Sequence, residues 1–382
     1  MSCMRHVTYL RQYGKMVPRD MLIRSETFTA ILAVKISLFL RISVAEYIKN
    51  VRNRRMKMFM MNVLVLAVGF WALIKGADFF VDGSAALAKN FRIPGLVIGL
   101  TIVAAGTSAP ELAVSTTAAF QGANEIALSN VVGSNIFNLL CVLGMCAVIC
   151  PVPAGKAVLK RDFSVSIMAT ILVFLSAGAA SVFSGHIFSM NMEERAGKIG
   201  RSAGIFLIIL FLIYIVCLVR EAIKHPEQEH NGEKRPVWKC LFWIAAGLIL
   251  IVGGGQGVVH SAKEIARALG MSETLIGLTI VAVGTSLPEL VTSVVAARKG
   301  ETGLAVGNVI GSNIFNLLFI LGISAAIHPV TVNTASVYDM GILILASLLT
   351  LFFLQSDKAL KRAEGAVLLA AYIADVIFAI VR

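Results

Sequence analysis

Two glutamates lie inside long apolar segments of this 382-residue chain. Glu111 belongs to the segment GLTIVAAGTSAPEL, and Glu289 belongs to the nearly identical segment GLTIVAVGTSLPEL. Aligning residues 95–144 with 273–322 gives about 30 identities in 50 positions at a constant offset of 178, which marks an internal repeat. A helix that only crosses lipid needs neither a glutamate nor a proline. We therefore expect the two copies to form the functional site.

Further oxygen-bearing side chains accompany each glutamate at matching positions. Threonine, glutamate and serine recur every four residues in each copy, a spacing that predicts one shared helical face. The two trios are Thr107, Glu111 and Ser115 in the first copy and Thr285, Glu289 and Ser293 in the second. A second polar line follows on the next apolar segment and comprises Asn130, Ser134 and Asn138, with their counterparts Asn308, Ser312 and Asn316. We expect these four polar lines to converge.

A proline directly before each glutamate predicts a break in the helix. Pro110 and Pro288 lack an amide hydrogen and clash with the carbonyl four residues earlier, where a glycine weakens the helix further. The carbonyls of residues 104–107 and 282–285 are then expected to be free of helical pairing. Such carbonyls are tolerated at membrane depth only where a cavity or a ligand satisfies them.

The chemistry of these groups favours a hard cation. Carboxylate, amide, hydroxyl and carbonyl oxygens suit Ca²⁺ and Na⁺, whereas zinc or copper would call for thiolate or imidazole, which the polar lines lack. Two carboxylates carry a charge near −2, which is costly to leave unneutralised in hydrocarbon. A divalent ion, sodium ions or protons must therefore occupy the site through most of a cycle, which is the logic of antiport.

Composition indicates the elements that must position these groups. The chain is 57% hydrophobic and only 15% charged, against roughly 25% charged residues in a soluble domain. Most of it must face lipid, and segments near the roughly 20 residues that cross a bilayer can be marked in both halves. The predicted spans cover residues 58–74, 95–118, 126–149, 164–184, 203–219, 241–259, 273–296, 303–327, 337–354 and 365–381.

The predicted fold is an all-α membrane protein with ten transmembrane helices, arranged as two inverted five-helix repeats with discontinuous helices at the midplane. Because five is odd, the second half enters the bilayer with the opposite sense, an arrangement typical of secondary transporters. We assign the first repeat to residues 58–219, the second to 240–382 and the connection to 220–239. Residues 1–57 form a basic N-terminal extension, and its start methionine is open, since a start near Met56 or Met58 is an alternative.

The distribution of Lys and Arg predicts the orientation. Basic residues are more frequent in the connections after the odd-numbered spans, so the positive-inside rule places the central loop, residues 220–239, in the cytoplasm. The basic cluster at residues 52–57 conflicts with this orientation. Most of the net charge of +12 comes from the extension, and it carries no inference of a nucleic-acid partner.

The paired GTSxPE and GSNIFNLL motifs resemble the alpha repeats of the cation/calcium exchanger superfamily, in particular its prokaryotic sodium/calcium exchangers. The likeness extends over nearly all of residues 58–382. By motif position, the resemblance implies that the carboxylates of Glu111 and Glu289 bind calcium. It implies that the Thr107 and Thr285 carbonyls complete that site, that the sodium sites involve Ala104, Ala282, Ser108, Ser286, Ser134 and Ser312, and that the central region holds Asn138 and Asn316.

One position bears on the ions that the resemblance implies. Some family members carry aspartate at the position of Asn316, which in the potassium-dependent branch is associated with potassium use; asparagine here favours potassium-independent exchange. By similarity, spans 1 and 6 would slide against a core of eight spans. Gly76, Gly83 and the glycines at residues 253–255 are consistent with such close helix contacts, although packing alone would explain them too.

The expected function is exchange of Na⁺ for Ca²⁺ by alternating access in a multi-pass protein of the bacterial inner membrane. The expected partners are the two transported ions and the lipid bilayer, with no cofactor and a monomeric state. A Ca²⁺/H⁺ antiporter is the alternative that the same carboxylates support, and a channel is a further option. An intramembrane acid/base enzyme is a remote one, since no nucleophile or catalytic metal is evident, so we predict that the chain is not an enzyme.

Several residues have structural interpretations that compete with functional ones. Serines and asparagines often bond across helices in lipid, and we favour this role for Ser115, Ser293, Asn130, Asn135, Asn308 and Asn313. Asp78 and Asp82, one turn apart near Lys75, are expected to be a structural pair, with an ion entrance as the alternative. The cysteines lack CxxC spacing and are expected to be incidental thiols.

Overall fold

Long helices account for most of the chain in the computed structural model. The structure describes residues 56–153, 155, 158–183, 192, 194–224, 226, 235–271, 282–357 and 359–381. The predicted extension therefore lies almost entirely outside the described residues, as do most of the loop at 225–234 and the first part of the seventh predicted span, residues 273–281.

Twelve helical elements are labelled here, in chain order. In the first half they are α1 (Met56–Phe91), α2 (Gly95–Thr107), α3 (Ala109–Phe120), α4 (Glu125–Ile149), α5 (Phe163–Phe183) and α6 (Arg201–Lys224). In the second half they are α7 (Val237–Ala268), α8 (Ala282–Gly284), α9 (Leu287–Arg298), α10 (Thr302–Ile327), α11 (Thr334–Asp357) and α12 (Arg362–Val381). Helix α6 ends at Lys224 and α7 begins at Val237, so both helices extend into the predicted 220–239 loop.

The helices identify a multi-pass membrane protein. Among the described residues, seven helices are long and apolar enough to cross a bilayer, or eight if α2 and α3 together form one bent span. The ten spans and the inverted arrangement of the repeats stay predictions.

Short strands qualify the all-α prediction. Val152–Pro153 (β1) pairs with Ala359–Leu360 (β4), and Arg195–Ile199 (β2) pairs with Val330–Asn333 (β3), both antiparallel. They lie at the ends of helices, where the backbone groups of connecting segments need partners.

Helices α4 and α10 form the interior of the described structure. Buried residues make up 72% of the apolar window in α4 and 78% of it in α10, but only 11% in α1 and in α12. The peripheral helices expose large apolar side chains such as Trp71, Ile249 and Phe352. In water such a surface would be costly, whereas in a bilayer it faces lipid.

Helix α1 is twice as long as the predicted span at residues 58–74. The predicted span stops at residue 74 because the sequence from Lys75 to Phe91 contains charged residues. Its apolar positions keep a helical period, and Ala77, Phe80 and Val81 are fully or almost fully buried.

Glycines bring α1 and α7 into backbone contact. A Cβ at Gly76 would lie 2.8 Å from the carbonyl oxygen of Gly247, and one at Gly69 would lie 3.0 Å from that of Gly254. At Gly83 the nearest atom is the carbonyl oxygen of Cys240, at 2.9 Å. The three glycines recur every seven residues on α1, and the positions that they face on α7, Cys240, Gly247 and Gly254, have the same spacing. The two backbones therefore touch along a continuous seam, the arrangement that small residues permit in membranes.

Candidate cation site

Two helix breaks place the glutamates at helix starts. Helices α2 and α3 meet at Ser108 with a bend of 50°, and Glu111 lies in the first turn of α3. In the second half Thr285 and Ser286 separate α8 from α9, and Glu289 lies in the first turn of α9. Both carboxylates therefore lie near the positive ends of helix dipoles, which favour negative charge.

The breaks correct one prediction from the spacing. Thr107 ends α2, whereas Glu111 and Ser115 belong to α3, so the first trio does not share a continuous helical face. The reason is the proline at position 110, which starts a new helix.

The carbonyls near the break are only partly released from pairing. The Ala104 carbonyl, predicted to be free, accepts a hydrogen bond from the Ser108 amide at 3.0 Å. It keeps a second lone pair for another ligand. In the second half, the matching carbonyl belongs to Ala282, the first residue of helix α8.

Each carboxylate is held by a serine from the other half of the molecule. Ser286 Oγ donates to Glu111 Oε1 at 2.9 Å, and Ser108 Oγ donates to Glu289 Oε1 at 2.8 Å. Ser134 Oγ lies 3.4 Å from Glu111 Oε1 and 3.1 Å from Ser286 Oγ. All five side chains are almost completely buried. The structure thus brings the two predicted carboxylates and three of the predicted serines into one cluster.

The other oxygen of each carboxylate has no hydrogen-bond partner among the described residues. These oxygens are Glu111 Oε2 and Glu289 Oε2. Four other buried oxygens of the predicted set also have no partner among the described residues: Asn138 Oδ1, Asn316 Oδ1, Thr285 Oγ1 and Ser312 Oγ. In folded proteins almost all buried polar atoms have a hydrogen-bond partner, so a group of unpaired acceptors calls for an explanation. The donor set consists of hard oxygens with two carboxylates, and it fits a small cation such as Ca²⁺ or Na⁺.

Asparagines support the helices that carry the glutamates. Asn130 Nδ2 donates to Ser115 Oγ at 2.9 Å and lies 3.3 Å from the Glu111 carbonyl oxygen. Asn308 Nδ2 makes the matching contacts with Ser293 Oγ at 2.9 Å and with the Glu289 carbonyl at 3.4 Å. These bonds agree with the structural role predicted for the four side chains.

A second asparagine pair joins α4 to α10. Asn135 Nδ2 donates to the Asn313 carbonyl oxygen at 3.1 Å, and Asn313 Nδ2 donates to the Asn135 carbonyl oxygen at 3.4 Å. Asn138 Nδ2 donates to Asn313 Oδ1 at 3.1 Å, and Asn316 Nδ2 donates to Asn135 Oδ1 at 3.0 Å. Asn138 and Asn316 lie in π-helical turns, Phe137–Val142 and Phe315–Ile320.

The hydrogen bonds of the two halves are not identical. Ser134 Oγ contacts Glu111 Oε1, whereas its counterpart Ser312 Oγ has no partner among the described residues. Thr107 Oγ1 donates to Asn308 Oδ1 at 2.9 Å, which joins α2 to α10. The counterpart, Thr285 Oγ1, has no hydrogen-bond partner among the described residues, and Asn130 is only half-buried.

Charged residues connect α1 to the end of α9 outside this site. Lys299 Nζ lies 2.9 Å from Asp82 Oδ1 and 3.2 Å from Asp78 Oδ1. Lys75 Nζ lies 3.8 Å from Asp78 Oδ2. These contacts agree with the structural interpretation of the two aspartates.

Among the residues that the structure describes, the contacts of the two glutamates involve neither thiols nor imidazoles. Cys141, Cys146, Cys150, Cys217 and Cys240 are free. Across the part of the chain that the structure describes, no group of three or more His, Cys, Asp or Glu residues could hold a metal ion. Ligands beyond the two glutamates would therefore be neutral oxygens.

Comparisons with known proteins identify the family of the chain. Residues 61–220 and 239–381 match the family model described as "Sodium/calcium exchanger protein". The sodium/calcium exchanger MaX1 of Methanosarcina acetivorans is 34% identical over 349 residues, covering 83% of this chain and 98% of the relative. CaxA of Alkalimonas amylolytica is 38% identical over 322 residues, covering 81% of this chain and 96% of the relative.

A solved structure has the same fold. The sodium-calcium exchanger NCX_Mj superimposes with a TM-score of 0.70 and 33% sequence identity, over 84% of this chain and 99% of that one. The chain belongs to the sodium/calcium exchanger family. It is a membrane transporter of the exchanger class, and the family resemblance predicted from the GTSxPE and GSNIFNLL motifs is confirmed.

Proposed function

We propose that the protein is a secondary active transporter that exchanges Na⁺ for Ca²⁺ across the membrane by alternating access. The main support for this proposal is the pair of buried glutamates. Each has one carboxylate oxygen bonded to a serine of the other half and one oxygen unpaired. Two carboxylates in a low-dielectric interior require a compensating cation. A divalent ion between them neutralises both at once.

Calcium binding would use oxygens that the hydrogen-bond network leaves free. Glu111 Oε2 and Glu289 Oε2 supply the charge. The carbonyls of Thr107 and Thr285 complete the calcium site, because they flank the helix breaks. Asn138 Oδ1 and Asn316 Oδ1 supply neutral acceptors in the central region.

Sodium ions would occupy neighbouring positions with lower charge. The hydroxyls of four serines surround the carboxylates and can turn an oxygen lone pair to a monovalent ion. These residues are Ser108, Ser286, Ser134 and Ser312, together with the carbonyls of Ala104 and Ala282. Since the carboxylates need a cation in either case, calcium leaves when sodium replaces it, and the empty site moves reluctantly.

The proposed setting is a bacterial inner membrane, with the chain as a monomer and the loop between α6 and α7 in the cytoplasm. The excess of Lys and Arg in the connections on that side supports this orientation. Ca²⁺ and Na⁺ are substrates, and no cofactor takes part.

Flux measurements in vesicles test the proposal. Membrane vesicles preloaded with sodium should take up radioactive calcium, and Glu111→Gln or Glu289→Gln should abolish the uptake, because each change removes one of the two charges that bind calcium. Glu125→Gln is the matched control, since Glu125 is an exposed glutamate at the start of α4 and should leave uptake unchanged.

Separate gradients identify the coupling ion. Uptake that follows an imposed pH gradient and ignores sodium would reject sodium coupling and identify a Ca²⁺/H⁺ antiporter. Full uptake by both glutamine variants would reject the site itself.

A further inference from the structure

The buried asparagines Asn135 and Asn313 hold an unusual position beside the cation site. Both are completely buried, and neither has an unpaired side-chain atom. Their neighbours Asn138 and Asn316 are also completely buried, yet each of these leaves its side-chain oxygen without a partner. Asn135 and Asn313 are therefore saturated with hydrogen bonds, whereas Asn138 and Asn316 each present a free acceptor.

A backbone carbonyl determines which way the Asn135 amide is turned. A carbonyl oxygen only accepts hydrogen bonds, so the atom of Asn135 that lies 3.1 Å from the Asn313 carbonyl must be the NH₂ group. The Asn135 side-chain oxygen then points the other way, to Asn316. Because the Asn135 side-chain oxygen only accepts hydrogen bonds, Asn316 must donate to it through its NH₂ group.

This chain of bonds fixes the free atom of Asn316. With its NH₂ group bound at 3.0 Å to Asn135 Oδ1, the remaining atom is Oδ1, an acceptor. The mirror chain runs from the Asn135 carbonyl through Asn313 to Asn138, and it leaves Asn138 Oδ1 free in the same way. Each amide is thus oriented by an asparagine of the other half.

We propose that Asn135 and Asn313 are positioning residues that turn the amide oxygens of Asn316 and Asn138 to the cation. A free asparagine side chain could rotate by half a turn and present its NH₂ group, which repels a cation. The hydrogen bonds to Asn135 Oδ1 and Asn313 Oδ1 prevent that rotation. The inference rests on the proposed function, because it requires a cation at the two glutamates.

Calcium binding to the purified full-length chain tests the inference without transport. Equilibrium binding of radioactive Ca²⁺ in detergent should weaken about tenfold in Asn135→Ala, the lower end of the loss usual when a residue that orients a metal ligand is removed. In the Asn316→Asp background, Asn135→Ala should change the dissociation constant less than about twofold, since a carboxylate presents an oxygen in either orientation.

The pairing across halves supplies the matched control. In the Asn138→Asp background, Asn135→Ala should still weaken binding about tenfold, because Asn313 and not Asn135 orients position 138. The mirror set, Asn313→Ala with each aspartate background, should show the opposite pattern, and it serves if Asn135→Ala does not fold. A thermal melt of each variant separates loss of folded protein from loss of affinity.

The outcomes distinguish the two proposals. Equal weakening by Asn135→Ala in both aspartate backgrounds, or unchanged calcium affinity, overturns the positioning role while leaving the glutamate site intact. A wild-type chain that binds no Ca²⁺, or a Glu111→Gln variant that binds it as well as the wild type, overturns the proposed function and the positioning role with it.

Discussion

Helices α4 and α10 carry the same segment, GSNIFNLL, but the described residues pack differently against them. At Gly311 in α10 an added Cβ would meet the Leu100 Cα at 2.7 Å and the Ala104 Cβ at 2.8 Å. At Gly133, the matching position in α4, no atom of the residues that the structure describes would lie within 4 Å of an added Cβ. Helix α2 therefore packs closely on α10. Residues 273–281, which match residues 95–103 at the constant offset of 178, lie outside the described residues.

The bonds from serine to glutamate match closely between the two halves, whereas the bonds of Thr107 and Ser134 have no counterpart at Thr285 and Ser312 among the described residues. The serine bonds to the glutamates differ by only 0.1 Å between the halves, at 2.9 and 2.8 Å. The repeated sequence therefore specifies these bonds between serine and glutamate, whereas the enclosure of the site depends on the position of the neighbouring helix. Paired substitutions at equivalent positions can separate these two contributions.

The largest contrast is expected at the glycines. Gly311→Ala should destabilise the protein by about 1–3 kcal/mol, the usual effect of overpacking, because the new methyl group would contact the backbone of α2. Gly133→Ala should leave stability unchanged or raise it, since alanine favours a helix and no described residue lies within 4 Å of the added methyl group. Thermal unfolding of the purified variants in detergent measures both. Equal losses at the two positions would show that α4 is covered as closely as α10.

A smaller contrast is expected at the threonines. Thr107→Val removes the hydroxyl that donates to Asn308 and should cost about 0.5–1.5 kcal/mol of unfolding free energy. Thr285→Val should be neutral or stabilising, because it removes a buried hydroxyl that has no partner among the described residues. The same melts would report the difference, and a greater loss in Thr285→Val would contradict it.

The smallest contrast concerns the ends of the helices that carry the glutamates. Lys299→Ala should cost less than about 1 kcal/mol, because its ion pairs with Asp78 and Asp82 are partly exposed. High salt should erase the loss by screening the charges. Gln121→Ala, the equivalent position in the first half, should have no effect at any salt concentration. A salt-independent loss in Lys299→Ala would mean that the side chain acts through packing instead.

The sequence predicts the centre of this molecule well. Duplication of Glu111 and Glu289 with their surroundings identified the family, which is confirmed, and the prolines beside them predicted the helix break that the structure shows between α2 and α3. Both inferences depend on local chemistry, since a proline breaks a helix wherever it lies and a membrane glutamate needs compensation.

Other features depended on contacts between distant residues. The role of Asn135 follows from its distance to Asn313, which no spacing rule reveals, although its place three residues before Asn138 in both copies was a usable signal. The prediction that Thr107 shares a face with Glu111 was wrong because it assumed an unbroken helix. The predicted first span was too short because Asp78 and Asp82 are compensated by Lys299, a residue distant in the sequence.

The lengths of the two glycine-seamed helices couple this protein to the thickness of its membrane. At about 1.5 Å per residue, the 36 residues of α1 extend about 54 Å and the 32 residues of α7 about 48 Å, well beyond a hydrocarbon layer of about 30 Å. Both helices must therefore tilt or protrude into the headgroup region. Because their backbones touch, they must do so together, so lipids of different acyl chain length would reorient them as one rigid rod.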